Sequence, residues 1–392
     1  MVSESVTGKR RLKVLFITGS YPTKDHPADN VFVREHAKAA KINDDVRVLY
    51  WIQADSGARR LWQIEEESDP EVAQGIVTYR LFYRKPRLPG TSLATYLWCV
   101  GRAFRQIKRS GFTPDVIHAH VYVSGLAAVA IGRRLGIPVA VTEHWSIFSR
   151  KALPASEILK ARLAFGLADA VLPVSQPLMA AIQSYGIKAN FRVIPNAVDT
   201  SIFFPESKCG IDGRPKRIVF VGNLLPEKGI GDILEVLVKL RERSGWQMHI
   251  FGGGPRQGDY EEMARQLGIG DRAIFHGLQP KQEVARMMRQ CDFMLHPSYG
   301  ETFGASTVEA LACGIPVVAY DIPAFRRTIS ANRGILVPLG DKSSLAAAVV
   351  RMLDHCQDYA PKELNRYAAD NFSLAAVGKQ LHEAYCQISK KR

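Results

Sequence analysis

The stretch "HPSYGETFGASTVEALACGIPVVAY", His296 to Tyr320, decides how this chain folds. With the preceding "CDFML" it opens as an apolar strand that runs into a loop. Gly300 and Gly304 loosen that loop and allow close backbone approach. A helix is predicted from Ala305 or Ser306 to Cys313, with Gly314 as its C-terminal cap and Pro316 preventing continuation. "IPVVAY" then reads as the next strand. Strand, helix, strand in that order implies a parallel sheet covered by helices.

Reading outward, the same rhythm fills the chain. "LKVLFIT", "VRVLYWI", "DVIHAH", "IPVAVTEH", "AVLPVS" and "FRVIPN" look like buried strands, with helices at "VFVREHAKAAKI", "TSLATYLWCVGRAFRQIKRS" and "ASEILKARLAFGLA". After a Pro- and Gly-rich join at "NAVDTSIFFPESKCGIDGRPKR" the pattern restarts with "KRIVFVG", "WQMHIFGGG", "RAIFHGL", "CDFMLHPS", "IPVVAY" and "GILVPL". The fold class is therefore α/β, with two Rossmann-like, doubly wound domains over residues 1–197 and 198–373. Residues 374–392 read as an amphipathic helix returning to the N-terminal domain. Two such domains in tandem imply a cleft between them, where ligands are commonly found.

Composition narrows the classes. The 392 residues exceed one ordinary core. No run reaches the roughly 18 apolar residues of a membrane span. The apolar run after the basic N-terminus is too short for a signal peptide, so a cytoplasmic protein is expected. Six cysteines without C-x-x-C spacing argue against zinc and against a disulfide framework; Cys291 and Cys313 read as small core residues. Net charge is +14, and between Glu71 and Asp115 no acidic residue occurs while Arg80, Arg84, Lys85, Arg87, Arg102, Arg105, Lys108 and Arg109 do. This 80–109 region reads either as a solvated helix packed through Leu93, Leu97, Val100 and Phe104, or as a dock for an anionic membrane with Tyr83, Tyr96 and Trp98 near headgroups. Without a recognised RNA module, nucleic acid is not expected as a partner.

In open α/β sheets ligands sit beyond the carboxyl ends of strands. The residues there are Gly19 to Pro22, His118 to His120, His144, Ser175, Asn196, Gly222 to Lys228, Gly252 to Arg256, His276, and Pro297 to Gly304. Taken alone, Glu301 and Glu309 fit a surface loop and a residue favouring the positive helix end. Taken with the free N–H groups of the helix start between them, they fit a ligand with central phosphates and sugar hydroxyls at both ends, as in a nucleotide sugar. "FGGGPRQ" fails as a dinucleotide fingerprint, because Gln257 stands where a third glycine belongs. There is no Asp-x-Asp, Walker loop or nucleophile elbow, so no metal and no cofactor is expected.

"HPSYGETFGASTVEALACGIPVVA", with seven residues between its glutamates, resembles the signature of the retaining glycosyltransferases of the two-domain GT-B fold, family 4 (glycosyl transferases group 1). "FITGSYPTKDHPADNVFVREHAKAA", "DVIHAH", "VTEHWS", "VIPNAVD", "VFVGNLLPEKGI" and "IFGGGPRQGDYEEMARQLGIGDRAIFHG" extend the resemblance over almost the whole chain. It implies that Glu309 binds ribose hydroxyls and Glu301 donor-sugar hydroxyls. Backbone N–H groups of Phe303, Gly304 and Ala305 lie near sugar and phosphate oxygens, and Gly19 and Gly222 border the donor. Lys228 neutralises the leaving diphosphate. His120 contacts the sugar near the reacting carbon, and His118 and His144 are further candidates for sugar or acceptor contact. Two departures stand out. Asn223 replaces an arginine clamp; either Lys228 does most of the neutralising, or another cation such as Arg256 or Arg326 helps, or donor affinity is weaker. Asn30 replaces a glycine, and Asn tolerates positive φ.

The resemblance thus implies transfer of a sugar from a UDP- or GDP-linked donor to the hydroxyl of a saccharide or lipid-linked acceptor, in cell-surface polysaccharide or glycolipid assembly. The enzyme is expected in the cytoplasm, peripheral on the inner membrane face. The alternatives are a sugar-nucleotide epimerase or hydrolase of the same fold, or a nucleotide-sugar-binding protein without activity.

Overall fold

The computed structural model describes residues 10–24, 30–54, 61–84, 91–206 and 213–390. The chain divides into two compact units, Met1–Ala197 with Leu374–Arg392, and Val198–Ser373.

In the first unit the elements run β1 (Lys13–Thr18), α1 (Val31–Asn43), β2 (Asp45–Ala54), β3 (Trp62–Glu66), α2 (Pro70–Ala73), β4 (Val77–Arg84), α3 (Ser92–Arg109), β5 (Val116–His120), α4 (Val121–Leu135), β6 (Val139–Glu143), α5 (Ala155–Leu167), β7 (Ala170–Pro173) and α6 (Gln176–Gln183). Among the described residues the sheet has the order β3-β4-β2-β1-β5-β6-β7, parallel except for the β3–β4 pair. Its central strands β5 and β6 are buried at every position, so they show no apolar–polar alternation, and their polar residues His118, His120, Thr142 and Glu143 are buried as well.

The second unit runs β8 (Lys216–Val221), a 3-10 turn at Pro226–Lys228, α7 (Ile230–Val238), β9 (Trp246–Phe251), α8 (Gln257–Gln266), β10 (Ala273–Gly277), α9 (Lys281–Gln290), β11 (Phe293–His296), α10 (Ala305–Ala312), β12 (Val317–Tyr320), β13 (Gly334–Val337), α11 (Lys342–His355) and α12 (Pro361–Phe372). Its described sheet, β10-β9-β8-β11-β12-β13, is parallel throughout.

The last helix, α13 (Leu374–Ser389), packs in the first unit's core through Val377, Leu381 and Tyr385. Gly378 lets it approach α1: a Cβ there would fall 2.1 Å from the Ala39 carbonyl oxygen. His382 Nδ1 bonds Asp44 Oδ1 at 2.8 Å, and Tyr385 Oη bonds His118 Nδ1 at 2.7 Å.

Three expectations change. "FRVIPN" is not a strand; Phe191 makes one isolated bridge to Val171. The acid-poor region supplies strand β4, which pairs with the edge strand β3. Tyr83 and Tyr96 are core residues and cannot stand at headgroups, whereas Leu93, expected to pack, is exposed, as is Trp98. Helix α3 buries Tyr96, Cys99, Val100, Ala103, Phe104 and Ile107. Arg102 lies over the Trp62 and Trp98 rings, and Arg80 pairs with Glu67 at 3.2 Å. Lys85 and Arg87 lie outside the described residues.

Candidate functional site

In the second unit, two strand-end loops meet. The loop after β8 and the loop after β11 are tied by Tyr299 N–H donating to the Glu227 carbonyl at 2.9 Å and by Ser298 Oγ donating to the same oxygen at 3.3 Å. Gly229 (φ 75°) permits this contact, since a Cβ would meet the Pro297 carbonyl oxygen at 2.1 Å. The lacing brings Lys228 Nζ to 2.5 Å from Glu301 Oε1. His296, at the end of β11, places Nε2 3.3 Å from the same oxygen. Burial works to raise the Glu301 pKa, but the His296 hydrogen bond and the Lys228 charge prevail and bring it to about 2. Glu301 is therefore a fixed carboxylate, an acceptor of hydrogen bonds and not an acid.

Helix α10 starts where the sequence predicts. Gly304 is its N-cap residue with φ 81°, and an added Cβ would lie 2.4 Å from the Phe325 ring. Phe303 is buried against Phe372, so only its backbone is available to a ligand. Ala305 opens the helix. Glu309 lies one turn in, half-buried, with Lys281 Nζ 3.8 Å from its Oε1. Lys281 starts α9 and was missed; nothing in "QPKQEV" separates it from an ordinary surface lysine. His296 was also missed, although its place at a strand end marks it.

Gly222 and the glycine run after β9 cross closely: a Cβ on Gly252 would meet the Gly222 carbonyl oxygen at 1.9 Å, and one on Gly254 the Leu224 oxygen at 2.7 Å. These glycines serve loop packing. Asn223 is exposed. Arg256 and Arg326 pair with Asp259 and Asp321 at 3.1 and 2.7 Å.

The first unit holds a histidine cluster at its strand ends. His120 Nδ1 and His144 Nε2 are 2.9 Å apart, and His36 Nε2 is 3.0 Å from the Pro195 carbonyl oxygen. Burial keeps all three neutral, bringing the His36 pKa down to about 4 and those of His120 and His144 well below the ordinary range. One nitrogen from each ring falls within 4.8 Å of the others. Three neutral imidazoles are a recognised zinc ligand set, but a first-row metal needs nitrogens at about 2.0–2.1 Å. Here His120 and His144 spend one nitrogen each on their mutual bond. His118 leaves the candidate list: it is fully buried, and both nitrogens are taken, by Tyr385 Oη and Thr142 Oγ1, each at 2.7 Å.

Glu143, at the end of β6, organises this corner. Its Oε1 accepts the His144 and Trp145 N–H groups at 2.8 and 2.9 Å, and its Oε2 accepts the Tyr122 N–H at 3.1 Å. That last bond clamps Val121, a β-branched residue held at φ 68° directly after His120. Burial pushes the Glu143 carboxyl up to about 7 in spite of these donors. Gly19 is explained by packing, because a Cβ would lie 2.3 Å from the Trp51 indole. Asn30 adopts the left-handed conformation, φ 50°, at the start of α1.

Two family models match in succession: Glycosyltransferase Family 4 over residues 30–202 and Glycosyl transferases group 1 over residues 204–370. TuaC of Bacillus subtilis (strain 168), assigned by its name to teichuronic acid biosynthesis, is 25% identical over 401 residues, covering 97% of this chain and 99% of the relative. The alpha-monoglucosyldiacylglycerol synthase of Streptococcus pneumoniae (strain ATCC BAA-255 / R6) is 29% identical over 296 residues, 69% of this chain and 66% of its own. Among solved structures, HepE of Anabaena in complex with UDP superposes with a TM-score of 0.75 at 19% identity, over 96% of this chain and 100% of that one.

Proposed function

The chain belongs to the glycosyltransferases of family 4, in glycosyl transferases group 1, and we propose that it is a retaining, metal-independent enzyme. It moves a sugar from a UDP- or GDP-linked donor to an acceptor hydroxyl in cell-surface polysaccharide or glycolipid assembly. The observation that carries this reading is the Lys228–Glu301 pair standing beside the start of α10, with Glu309 one turn further on. A cation, a set of free helix N–H groups and two carboxylates match a diphosphate with a hydroxyl-bearing group at each end.

In this reading the bond between the anomeric carbon and the β-phosphate oxygen breaks with its electrons passing to that oxygen. Lys228 and the α10 N-terminus stabilise the charge. The acceptor oxygen attacks the same face, and its proton passes to the departing phosphate. Glu301 and Glu309 orient the sugar and the ribose by accepting hydrogen bonds. His120 and His144 contribute a sugar or acceptor contact.

The names of TuaC and the glucosyldiacylglycerol synthase support a surface-polymer or lipid acceptor, and the UDP bound to HepE supports a uridine donor. None of the described helices is long and apolar enough to cross a membrane. Access to a lipid acceptor is assigned to the exposed face of α3, where Leu93, Trp98, Arg102 and Arg105 present apolar and basic groups together. The test is acceptor-dependent release of nucleoside diphosphate with UDP- and GDP-sugars, with and without EDTA, and the anomeric configuration of the product. An inverted product, loss of transfer with EDTA, or equal release without acceptor would each contradict the reading.

A further inference from the structure

We propose that Asp232 is a positioning residue for the transfer reaction: by holding the Tyr299 hydroxyl, it fixes the loop that carries Glu301 against the turn that carries Lys228. The inference rests on the function proposed for Lys228 and Glu301. Tyr299 grips the Lys228 turn at two points. Its backbone N–H donates to the carbonyl of Glu227, the residue before Lys228, at 2.9 Å. Its hydroxyl donates to Asp232 Oδ2 at 2.6 Å, in the first turn of α7 just after Lys228. A carboxylate only accepts, so the phenol is the donor. A single hydrogen bond lets a loop swivel, whereas bonds on both sides of Lys228 set its orientation. Gly300 makes that orientation matter. It separates Tyr299 from Glu301, and a Cβ there would meet nothing within 4 Å, so packing does not hold it.

Asp232 is in turn held from the interior. It is buried, and Tyr320, fully buried at the end of β12, donates to the same Oδ2 at 2.7 Å. Lys342 Nζ, from the start of α11, lies 3.2 Å from Oδ1 and also pairs with Glu235 at 2.7 Å. The Tyr299 and Tyr320 rings meet edge to face with centroids 5.4 Å apart. A buried carboxylate that lost these donors would keep its desolvation cost, so the arrangement resists exchange. Tyr299 itself is 43% exposed, so little apolar burial holds it and the hydroxyl bond supplies the tie. Asp232 thus passes the rigidity of β12 and α11 to a loop that has little of its own.

The test compares variants of the full chain in the transfer assay and in amide hydrogen exchange. Tyr299→Phe frees the loop from α7 and is expected to lower kcat by about tenfold or more, with donor KM changed by less than about threefold. Tyr320→Phe removes a like bond to the same oxygen without freeing the loop, and should keep kcat within about twofold. Asp232→Ala should reproduce the Tyr299→Phe loss, and combining the two should lower the rate no further. Asp232→Asn, which keeps an acceptor oxygen, should recover most of it. Exchange over residues 297–301 should quicken in Tyr299→Phe and not in Tyr320→Phe. Because Asp232 is buried, Tyr299→Phe decides the matter if Asp232→Ala fails to fold. An unchanged kcat in Tyr299→Phe, or equal losses in the two phenylalanine variants, overturns the proposal. A wild type that transfers no sugar removes the functional reading instead, and the exchange pattern still decides whether Asp232 holds the loop.

Discussion

Lys228 Nζ lies 2.5 Å from Glu301 Oε1, joining the loops that follow two neighbouring strands, β8 and β11. Each group stabilises the charge of the other where both are largely buried. Lys228→Met is expected to lower kcat by about 10²–10³-fold, the usual loss when one donor to a developing oxyanion is removed. Rates at saturating donor and acceptor check this. A kcat within twofold of wild type would show that Lys228 does not meet the leaving group.

Gly304→Ala tests the turn that aims α10. The new methyl would meet Phe325 and a left-handed backbone at once. A loss of roughly 2 kcal/mol in unfolding free energy is expected. Thermal unfolding reads the first effect, and loss of donor-induced stabilisation reads the misplaced N–H groups.

The histidine cluster predicts acid sensitivity. The His36 pKa is lowered from 6.5 to about 4, so between these values the unfolded chain binds a proton that the folded one excludes. Stability is therefore lost as pH falls through that window, by on the order of 3 kcal/mol for this residue alone. Glu143 acts the other way: its folded pKa of about 7 is raised, so its share is lost as pH rises from about 4.5 to 7. Denaturant melts of wild type and His36→Gln at pH 7 and pH 5 should show a smaller pH effect in the variant. Equal slopes would show that His36 is not held neutral.

Asn223→Arg should restore a second cation near the diphosphate. Asn223 is exposed, so the longer side chain has room. A charge-assisted contact of about 1–2 kcal/mol corresponds to roughly tenfold tighter donor binding. A fluorescence or calorimetric titration checks it, and unchanged affinity would mean that position 223 does not face the phosphates.

The parts of this fold that were legible in the sequence are those with one local cause. The α10 helix was readable from Gly304, Gly314 and Pro316, and the buried strands from their short Val-, Ile- and Ala-rich runs, as in "KVLFIT" of β1. Strands β3 and β4 were not. "WQIEE" and "VTYRLFYR" mix charge with aromatics because β3 is a half-exposed edge, and the lack of acids drew attention to the charge instead of the alternation. "FRVIPN" has strand composition, but it makes one isolated bridge to β7, and its Pro195 carbonyl meets His36. In the site, Glu301 and Glu309 could be found because their spacing survives in one segment. Glu143 and His36 could not, because only the meeting of β5, β6 and α1 gives them partners. The strain at Val121 has no sequence signal at all; a valine at φ 68° is visible only once the Glu143 carboxylate is seen holding the next N–H.

The central claim is that Glu301, Lys228, α10 and Glu309 form a nucleotide-sugar clamp, and calorimetric titration of the wild type and Glu309→Ala tests it most directly. The titrant is the one among UDP-, GDP-, ADP- and dTDP-glucose that most raises the unfolding temperature of the wild type. Losing a carboxylate that accepts from ribose hydroxyls should weaken binding by about tenfold or more, with the variant still folded. Equal dissociation constants for the two proteins would contradict the clamp.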